Sequence, residues 1–329
     1  MRSAVIASSS LYAPSRVLTN QYFNEMLGED VGTWLEQNLT IRERRWAQAN
    51  ESTADLVENA AKDALHKAEL SAEKIDLIIV ATDTPEYISP STASVVQYRL
   101  GAKNAGTFDL NTACAGFVTA LDVASKYIAS DEHYQNILVI GAYTMSKYLD
   151  LHDKKTVTLF ADGAGGFVLS SEANSKRGFL SSQLLTEGQY HGWMGIYGGG
   201  THLPTTTETL DKKDHLLKFV KKFPKELNPE IWSQMIQTLC SRVNIQPSDV
   251  AQYFFSQINI NSIWDTLGKL NLPKEKAHTI MDRYAYTGSA CIPMAFHEAV
   301  ELGKVKRGDL VMFVGSGGGL SFASAAFRY

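Results

Sequence analysis

The chain has 329 residues, 44% hydrophobic and 20% charged, enough to bury a substantial core and to form two domains or one duplicated fold at roughly 100 to 200 residues per domain. Lys plus Arg total 31 against 35 Asp plus Glu, a formal net charge of −4, which argues against a protein built to bind a nucleic-acid backbone. No stretch reaches the roughly 18 uninterrupted apolar residues of a membrane helix, and the start of the chain lacks the pattern of a secretory signal, so a cytoplasmic protein with no membrane span is expected.

Short apolar runs alternate with segments of helical period, the pattern of an α/β fold. Ser52 or Thr53 caps a helix through Ala68, in which Leu56, Val57, Ala60, Ala61, Ala64 and Leu65 recur at spacings of three and four. Ile75 to Ala81 and Asn136 to Ala142 read as buried strands, with Thr107 to Leu110 a weaker strand between them. Cys114 to Ala129 has helical period. From about residue 172 the chain turns polar, then rich in glycine and threonine, which predicts a long excursion over a site or a mobile surface loop. Lys212, Lys213, Lys218, Lys221, Lys222 and Lys225 follow, compatible with a solvated helix face or with a docking patch for an acidic partner such as a carrier protein. A helix over Pro229 to Val243, a strand over Gln252 to Ile258, a further helix and a strand over Leu310 to Val314 repeat the grammar of the first half.

Two glycine-rich strings, ADGAGGF (Ala161 to Phe167) and GSGGGL (Gly315 to Leu320), lack both a P-loop spacing and a strand-GxGxxG-helix context. Each is expected just ahead of a small-residue strand, where the backbone passes close to a substrate or another chain.

Three cysteines, Cys114, Cys240 and Cys291, show neither CxxC spacing nor paired histidines, so neither a disulfide framework nor a metal site is expected. Cys114, in NTACAGF, falls between a strand end and a helix start, where the free amides and the helix dipole favour a thiolate. That dipole is worth about 0.3–1 kcal/mol, under one pKa unit, and does not ionise the thiol alone. Ala113, Ala115 and Gly116 leave room for a substrate. This local context fits a nucleophile and an inert core cysteine equally well.

Taken together, Trp34 in GTWLEQNLTIRERR, the NTACAGF segment, FADGAGG, TGSACIP and the closing GSGGGLSFASAAFRY resemble the β-ketoacyl-acyl-carrier-protein synthase III branch of the thiolase-like superfamily, in order and in spacing. The resemblance implies a duplicated five-layer α-β-α-β-α fold, read here as residues 1–172 and 173–329. It also implies a homodimer, with a nucleophile at an interior helix start reached by a pantetheine tunnel. Cys114 then takes the nucleophile's place, and the amides of Cys114 and Gly318 that of the oxyanion hole. The family's catalytic histidine opens a His-Gln-Ala-Asn motif whose place is held here by Ser256 in SQIN, ending at Asn259. Its catalytic asparagine is replaced by Tyr286 in YTGSACIP. Neither Ser256 nor Tyr286 is a base near pH 7. Losing a positioned acid or base forfeits about 100- to 10,000-fold, so ordinary malonyl decarboxylation is not expected.

By the same resemblance Trp34 stacks an adenine, Asn38 stands where the family has a coenzyme-A-gripping arginine, and Lys154 or Lys155 falls near another basic position. Ser89, in YISPSTA, falls where a bulky residue often closes the acyl pocket, which implies room for a longer acyl chain or cover by another side chain. Asp83, in ATDTPEY, lies near the acidic catalyst of the related hydroxymethylglutaryl-coenzyme A synthases, or is a plain strand-end aspartate. His191, His202 and His297 earn no role. The favoured expectation is an acyltransferase or specialised condensing enzyme of secondary metabolism or an accessory lipid pathway. It would take an acyl-coenzyme A or acyl-carrier-protein thioester as substrate, with no separate cofactor and no metal. The alternatives are a partly catalytic subunit of a heterodimer with an intact paralogue, and a thioester-processing enzyme using Asp83 as acid or base.

Overall fold

A computed structural model describes residues 2–329. Strands β1 (Arg2–Tyr12), β2 (Leu77–Ala81), β3 (Gly106–Leu110), β4 (Asn136–Thr144) and β5 (Asp162–Ala173) form one sheet in the order β1-β5-β4-β2-β3. Here β2 pairs parallel with both β3 and β4, while β5 runs antiparallel to β4 and β1. A second sheet holds β6 (Gly178–Thr186), β7 (Gln252–Phe255), β8 (Leu310–Gly317) and β9 (Ser321–Arg328) in the order β7-β8-β9-β6. There β7 and β8 are parallel, and β9 is antiparallel to β8 and β6. Without its edge strand β3, the first sheet repeats the second: one parallel pairing followed by two antiparallel ones.

Helices complete five layers. The outer face of the first sheet is covered by α1 (Thr53–Lys67) and α2 (Thr92–Leu100), and α3 (Gly116–Ser130) lies between the sheets. On the far side, α4 (Leu227–Arg242) covers the second sheet and packs on α5 (Ile260–Lys269), while α6 (Cys291–Glu301) joins α3 in the central layer. A helix between two sheets has no wet face, so its sequence must be apolar nearly all round. In α3, Phe117, Val118, Ala120, Leu121, Ala124 and Ile128 are all fully buried, as are Ile292, Met294, Ala295 and Phe296 of α6. By contrast α1 buries one face and starts in a capping box between Ser52 and Asp55.

Several expectations change. The helix read from Cys114 begins at Gly116, because Ala113 takes a positive φ of 46° and turns the chain before the helix starts. The strand from Gln252 ends at Phe255 rather than Ile258. The predicted excursion contains β6, half-buried along its first part and exposed at its end, which pairs with β9. The lysines do not share a helix: the helical turn Thr207–Asp211 ends before Lys212, and only a two-residue strand, Lys218–Phe219, interrupts the irregular chain beyond it. The first glycine string lies inside β5 rather than ahead of it, and the second forms the β8–β9 hairpin. Among the described residues, no helix is long and apolar enough to cross a membrane.

Candidate active site around Cys114

Cys114 sits two residues ahead of α3, at the centre of the molecule, and is 3% exposed. The β8–β9 hairpin comes so close that a side chain at Gly317 would lie 2.3 Å from the Cys114 amide nitrogen and 2.8 Å from the Thr112 carbonyl oxygen. Only glycine fits that approach. Burial pushes the Cys114 thiol well above its usual range, the nearby Asp83 carboxylate adds to that, and a hydrogen bond from Tyr286 opposes both. At rest Cys114 is therefore a neutral thiol.

Tyr286 is 1% exposed and held at both ends of its peptide unit: its amide donates to Leu159 O at 3.0 Å, and its carbonyl accepts from Ala161 N at 2.9 Å. The IRERRWA segment braces that same stretch. Buried Arg44 donates to Thr158 O at 2.7 Å, and Trp46 Nε1 donates to Phe160 O at 3.1 Å. Asp162, raised to about 6 by burial, accepts from the amides of Ala47 at 2.7 Å and Ser146 at 2.9 Å. The residues preceding both site side chains, Ala113 (φ 46°) and Ala285 (φ 48°), adopt a conformation that costs a non-glycine residue about 1–3 kcal/mol. Strain thus collects on either side of the Cys114–Tyr286 contact.

Two chambers meet at the sulfur. One, of about 260 Å³, runs from the surface past Trp34, Lys222 and Lys225 and along Leu39, Leu159, Phe219, Phe223 and Leu227 to Cys114 and Tyr286. Its walls are mostly apolar, and Trp34, 57% exposed, stands at its mouth. The other, of about 280 Å³, also reaches Cys114, opens at exposed Asn111 and His191, and is lined besides by Asp83, Tyr143, Tyr197, Gly318 and several apolar side chains. Met194 lines both. A side chain at Gly288, whose φ is +50°, would meet the Tyr143 ring at 2.4 Å, so that glycine seats the ring.

The family profile described as 3-oxoacyl-(acyl-carrier-protein) synthase III matches residues 108–188, and that of its C-terminal part matches residues 240–329. The chain is 36% identical to the β-ketoacyl-acyl-carrier-protein synthase III of Syntrophomonas wolfei, over 96% of this chain and 94% of the relative. Identity to the synthase III of Clostridium perfringens strain SM101 is also 36%, over the full length of both. The chain belongs to the β-ketoacyl-acyl-carrier-protein synthase III family. The crystal structure of the Aquifex aeolicus 3-oxoacyl-(acyl-carrier-protein) synthase III superposes with a TM-score of 0.89 at 33% identity, covering 99% of this chain and 100% of that one. The fold is thus thiolase-like, and the protein is an acyl-transferring enzyme of the ketoacyl synthase III type.

Within this synthase III, the expected site residues part company. Cys114, Tyr286, Asp83 and Gly318 come together around the two chambers, and Trp34 and Asn259 line the outer one. Ser256 does not join them. Its buried hydroxyl accepts from Ser316 N at 3.0 Å and donates to Ser316 O at 3.2 Å, which spends it on the β8 backbone. Asn38 donates to Trp34 O at 2.9 Å and accepts from Asn261 at 3.1 Å, so it steadies the mouth. Asn259 also caps α5, accepting from Asn261 N at 3.0 Å.

Lys154 pairs with Glu29 at 2.9 Å away from the tunnel lining, and the cations at the mouth of this synthase III are Lys222 and Lys225 instead. Ser89 lies on an exposed turn and lines a separate surface depression with Tyr87 and Asp109, not the chambers of Cys114. His297 is a packing residue, with Ser9 Oγ and Lys67 Nζ on its two ring nitrogens at 3.0 and 3.1 Å. Cys240 is buried in α4. Cys291 opens α6 close enough to Cys114 to raise its pKa further, and is itself pushed up to about 12 by burial.

Sequence reasoning missed Tyr143, which lies one residue past the apolar run read as a plain strand, and passed over His191. It also failed to separate Lys222 and Lys225 from lysines paired elsewhere: Lys212 to Glu208, Lys213 to Asp150, and Lys218 to Asp214.

Proposed function

We propose that this ketoacyl synthase III loads an acyl group from a coenzyme A or carrier-protein thioester onto Cys114 and passes it to a carrier-bound or small acceptor. The observation that carries this reading is the apolar tunnel from Trp34, Lys222 and Lys225 to a thiol that accepts a hydrogen bond from Tyr286. The tunnel suits a pantetheine arm, and the two lysines suit its phosphate. The Cys114 sulfur bonds to the thioester carbonyl carbon, the bond to the departing thiol breaks, and the Cys114 proton ends on that thiol. Amides of Cys114 and Gly318 would hold the oxyanion, a contribution of about 3–4 kcal/mol per donor. With Ser256 tied to Ser316 and Tyr286 no base near neutral pH, nothing replaces the histidine of ordinary malonyl decarboxylation. A specialised transfer, in secondary metabolism or an accessory lipid pathway, fits this site better.

Strand β3 is an unpaired edge, and Tyr87, Ile88 and Tyr98 are exposed beside it, which supports assembly into a homodimer, or with a paralogue. The test is incubation with acyl thioesters followed by intact mass measurement: a Cys114-dependent adduct supports the function, and its absence across chain lengths overturns it.

A second reading uses Asp83 as acid or base, favoured by its buried, unpartnered Oδ1 and by burial raising the carboxyl to about 6. A carboxylate at that value is too weak a base for a thiol held well above its usual range, so this role belongs to the second step, on the acceptor. Asp83→Asn should then abolish turnover and spare acylation.

A further inference from the structure

Strand β7 ends at Phe255, and the polar residues after it bond in different directions. Ser256 is tied to Ser316 and Asn259 caps α5, but Gln257 reaches another part of the chain. Its side chain is fully buried and both ends of the amide are used: Nε2 donates to His278 O at 3.3 Å, and Oε1 accepts from Ile280 N at 2.9 Å. The helical turn Met281–Tyr284 is built on Ile280, whose carbonyl accepts from Arg283 N at 3.3 Å and from Tyr284 N at 3.1 Å. Ala285 N then donates to Met281 O at 3.0 Å, and Ala285, with its φ of 48°, turns the chain into Tyr286. A strained residue of that kind persists only while the chain around it is held. Downstream, the bonds of Tyr286 to Leu159 and Ala161 do so; upstream, Gln257 does, together with a bond from Arg42 N to Asp282 O at 3.1 Å.

We propose that Gln257 is a positioning residue: by fixing Ile280 it holds the turn ahead of Ala285, and so keeps the Tyr286 hydroxyl on the Cys114 sulfur. The proposal rests on the acyl-transfer reading above. Gln257 lines neither chamber, so it acts through Tyr286 rather than on a substrate. The Tyr286 hydroxyl lies at the far end of a long side chain, and a small rotation at its Cα, released when Ala285 relaxes, carries it out of hydrogen-bond reach of the sulfur. A misplacement of about 1 Å in a reacting array costs about 100-fold. The backbone amide of Gln257 also donates to the Cys291 thiol, a contact that a change of side chain leaves available.

The test is the pH profile of Cys114 alkylation by iodoacetamide in Gln257→Met, which keeps the length of the side chain and removes both hydrogen bonds. The profile should move to higher pH by about 0.5 unit or more. Combined with Tyr286→Phe, Gln257→Met should add nothing: the double variant should lie within about 0.3 pH unit of Tyr286→Phe alone, because the two substitutions remove one interaction. Ser256→Ala, which also breaks buried hydrogen bonds at the end of β7, should leave the profile in place. An unmoved profile in Gln257→Met, an additive double variant, or an equal shift in Ser256→Ala would overturn the proposal. Folding is checked by thermal melt. Should Gln257→Met not fold, Gln257→Asn, an amide one methylene too short to reach both partners, takes its place in the same comparisons. Alkylation needs no acyl transfer, so the two failures are distinguishable: a chain that forms no acyl adduct yet shows these profiles sinks the proposed function and still supports the positioning of Tyr286 by Gln257.

Discussion

The Tyr286 hydroxyl is hydrogen-bonded to the Cys114 thiol, although the two residues belong to opposite halves of the chain. The contact exists because the peptide unit of Tyr286 is clamped to Leu159 and Ala161, while the Gly317 hairpin and a positive φ at Ala113 hold the cysteine ahead of α3. A donor aimed at sulfur stabilises the thiolate more than the thiol, which is why it lowers a pKa that burial and Asp83 both raise.

Replacing that donor should be visible directly. In Tyr286→Phe the thiol pKa rises further, and a hydrogen bond to a charged group is worth about 1.5–3 kcal/mol, or roughly one to two pKa units. Iodoacetamide alkylation of Cys114 across pH 7 to 10 should shift to higher pH by about that amount. Acylation at pH 7.5 should fall about tenfold or more.

Asp83 should destabilise the fold at neutral pH. Its folded pKa, raised to about 6 by burial, lies above the unfolded value of about 3.9, so its contribution to stability is fully present below pH 4 and is lost as pH rises through 6. Two units correspond to about 2.7 kcal/mol, reduced to about 1–2 kcal/mol because the residue is only half-buried. Asp83→Asn should raise the melting temperature at pH 7.5, and the gain should shrink toward pH 4. A gain independent of pH contradicts this account.

The α/β architecture and the duplicated thiolase-like fold were legible because strands such as Asn136–Thr144 and helices such as Thr53–Lys67 write their burial into a simple period. Edge and surface strands were harder: Gly178–Thr186 is half-buried to exposed along its length, with no alternating burial to write a strand period into the sequence. Cys114, Tyr286 and Gly318 were found through motifs shared with the family. The role of Ser256 was not, because a hydroxyl turned back onto its own sheet carries the same letter as one turned toward a substrate. Lys222 and Lys225 were hidden by their neighbours, whose acidic partners are scattered between Asp150 and Asp214.

Ser256→Ala tests that distinction. It removes two hydrogen bonds to Ser316 and leaves a buried amide without an acceptor, a cost of about 1–3 kcal/mol. Chemical denaturation should show the loss, while Cys114 acylation stays within about threefold of the native rate, less than the 100-fold or more expected for a positioned acid or base. An acylation defect of that larger size in a folded variant would return Ser256 to the chemistry.

The cations at the tunnel mouth should govern capture rather than chemistry. Lys222→Ala combined with Lys225→Ala should raise KM for a coenzyme A thioester several-fold, an effect that fades as salt screens the pair, with kcat little changed. Lys154→Ala, which breaks the exposed pair with Glu29, should leave both constants unaltered.

The central claim is that Cys114 carries the acyl group. Intact mass spectrometry of the native protein and of Cys114→Ser, after incubation with a panel of short acyl-coenzyme A thioesters, decides it. The account predicts a single adduct of acyl mass on the native chain and none on Cys114→Ser. An adduct that persists in Cys114→Ser, or a native chain that stays unmodified with every thioester, would contradict it.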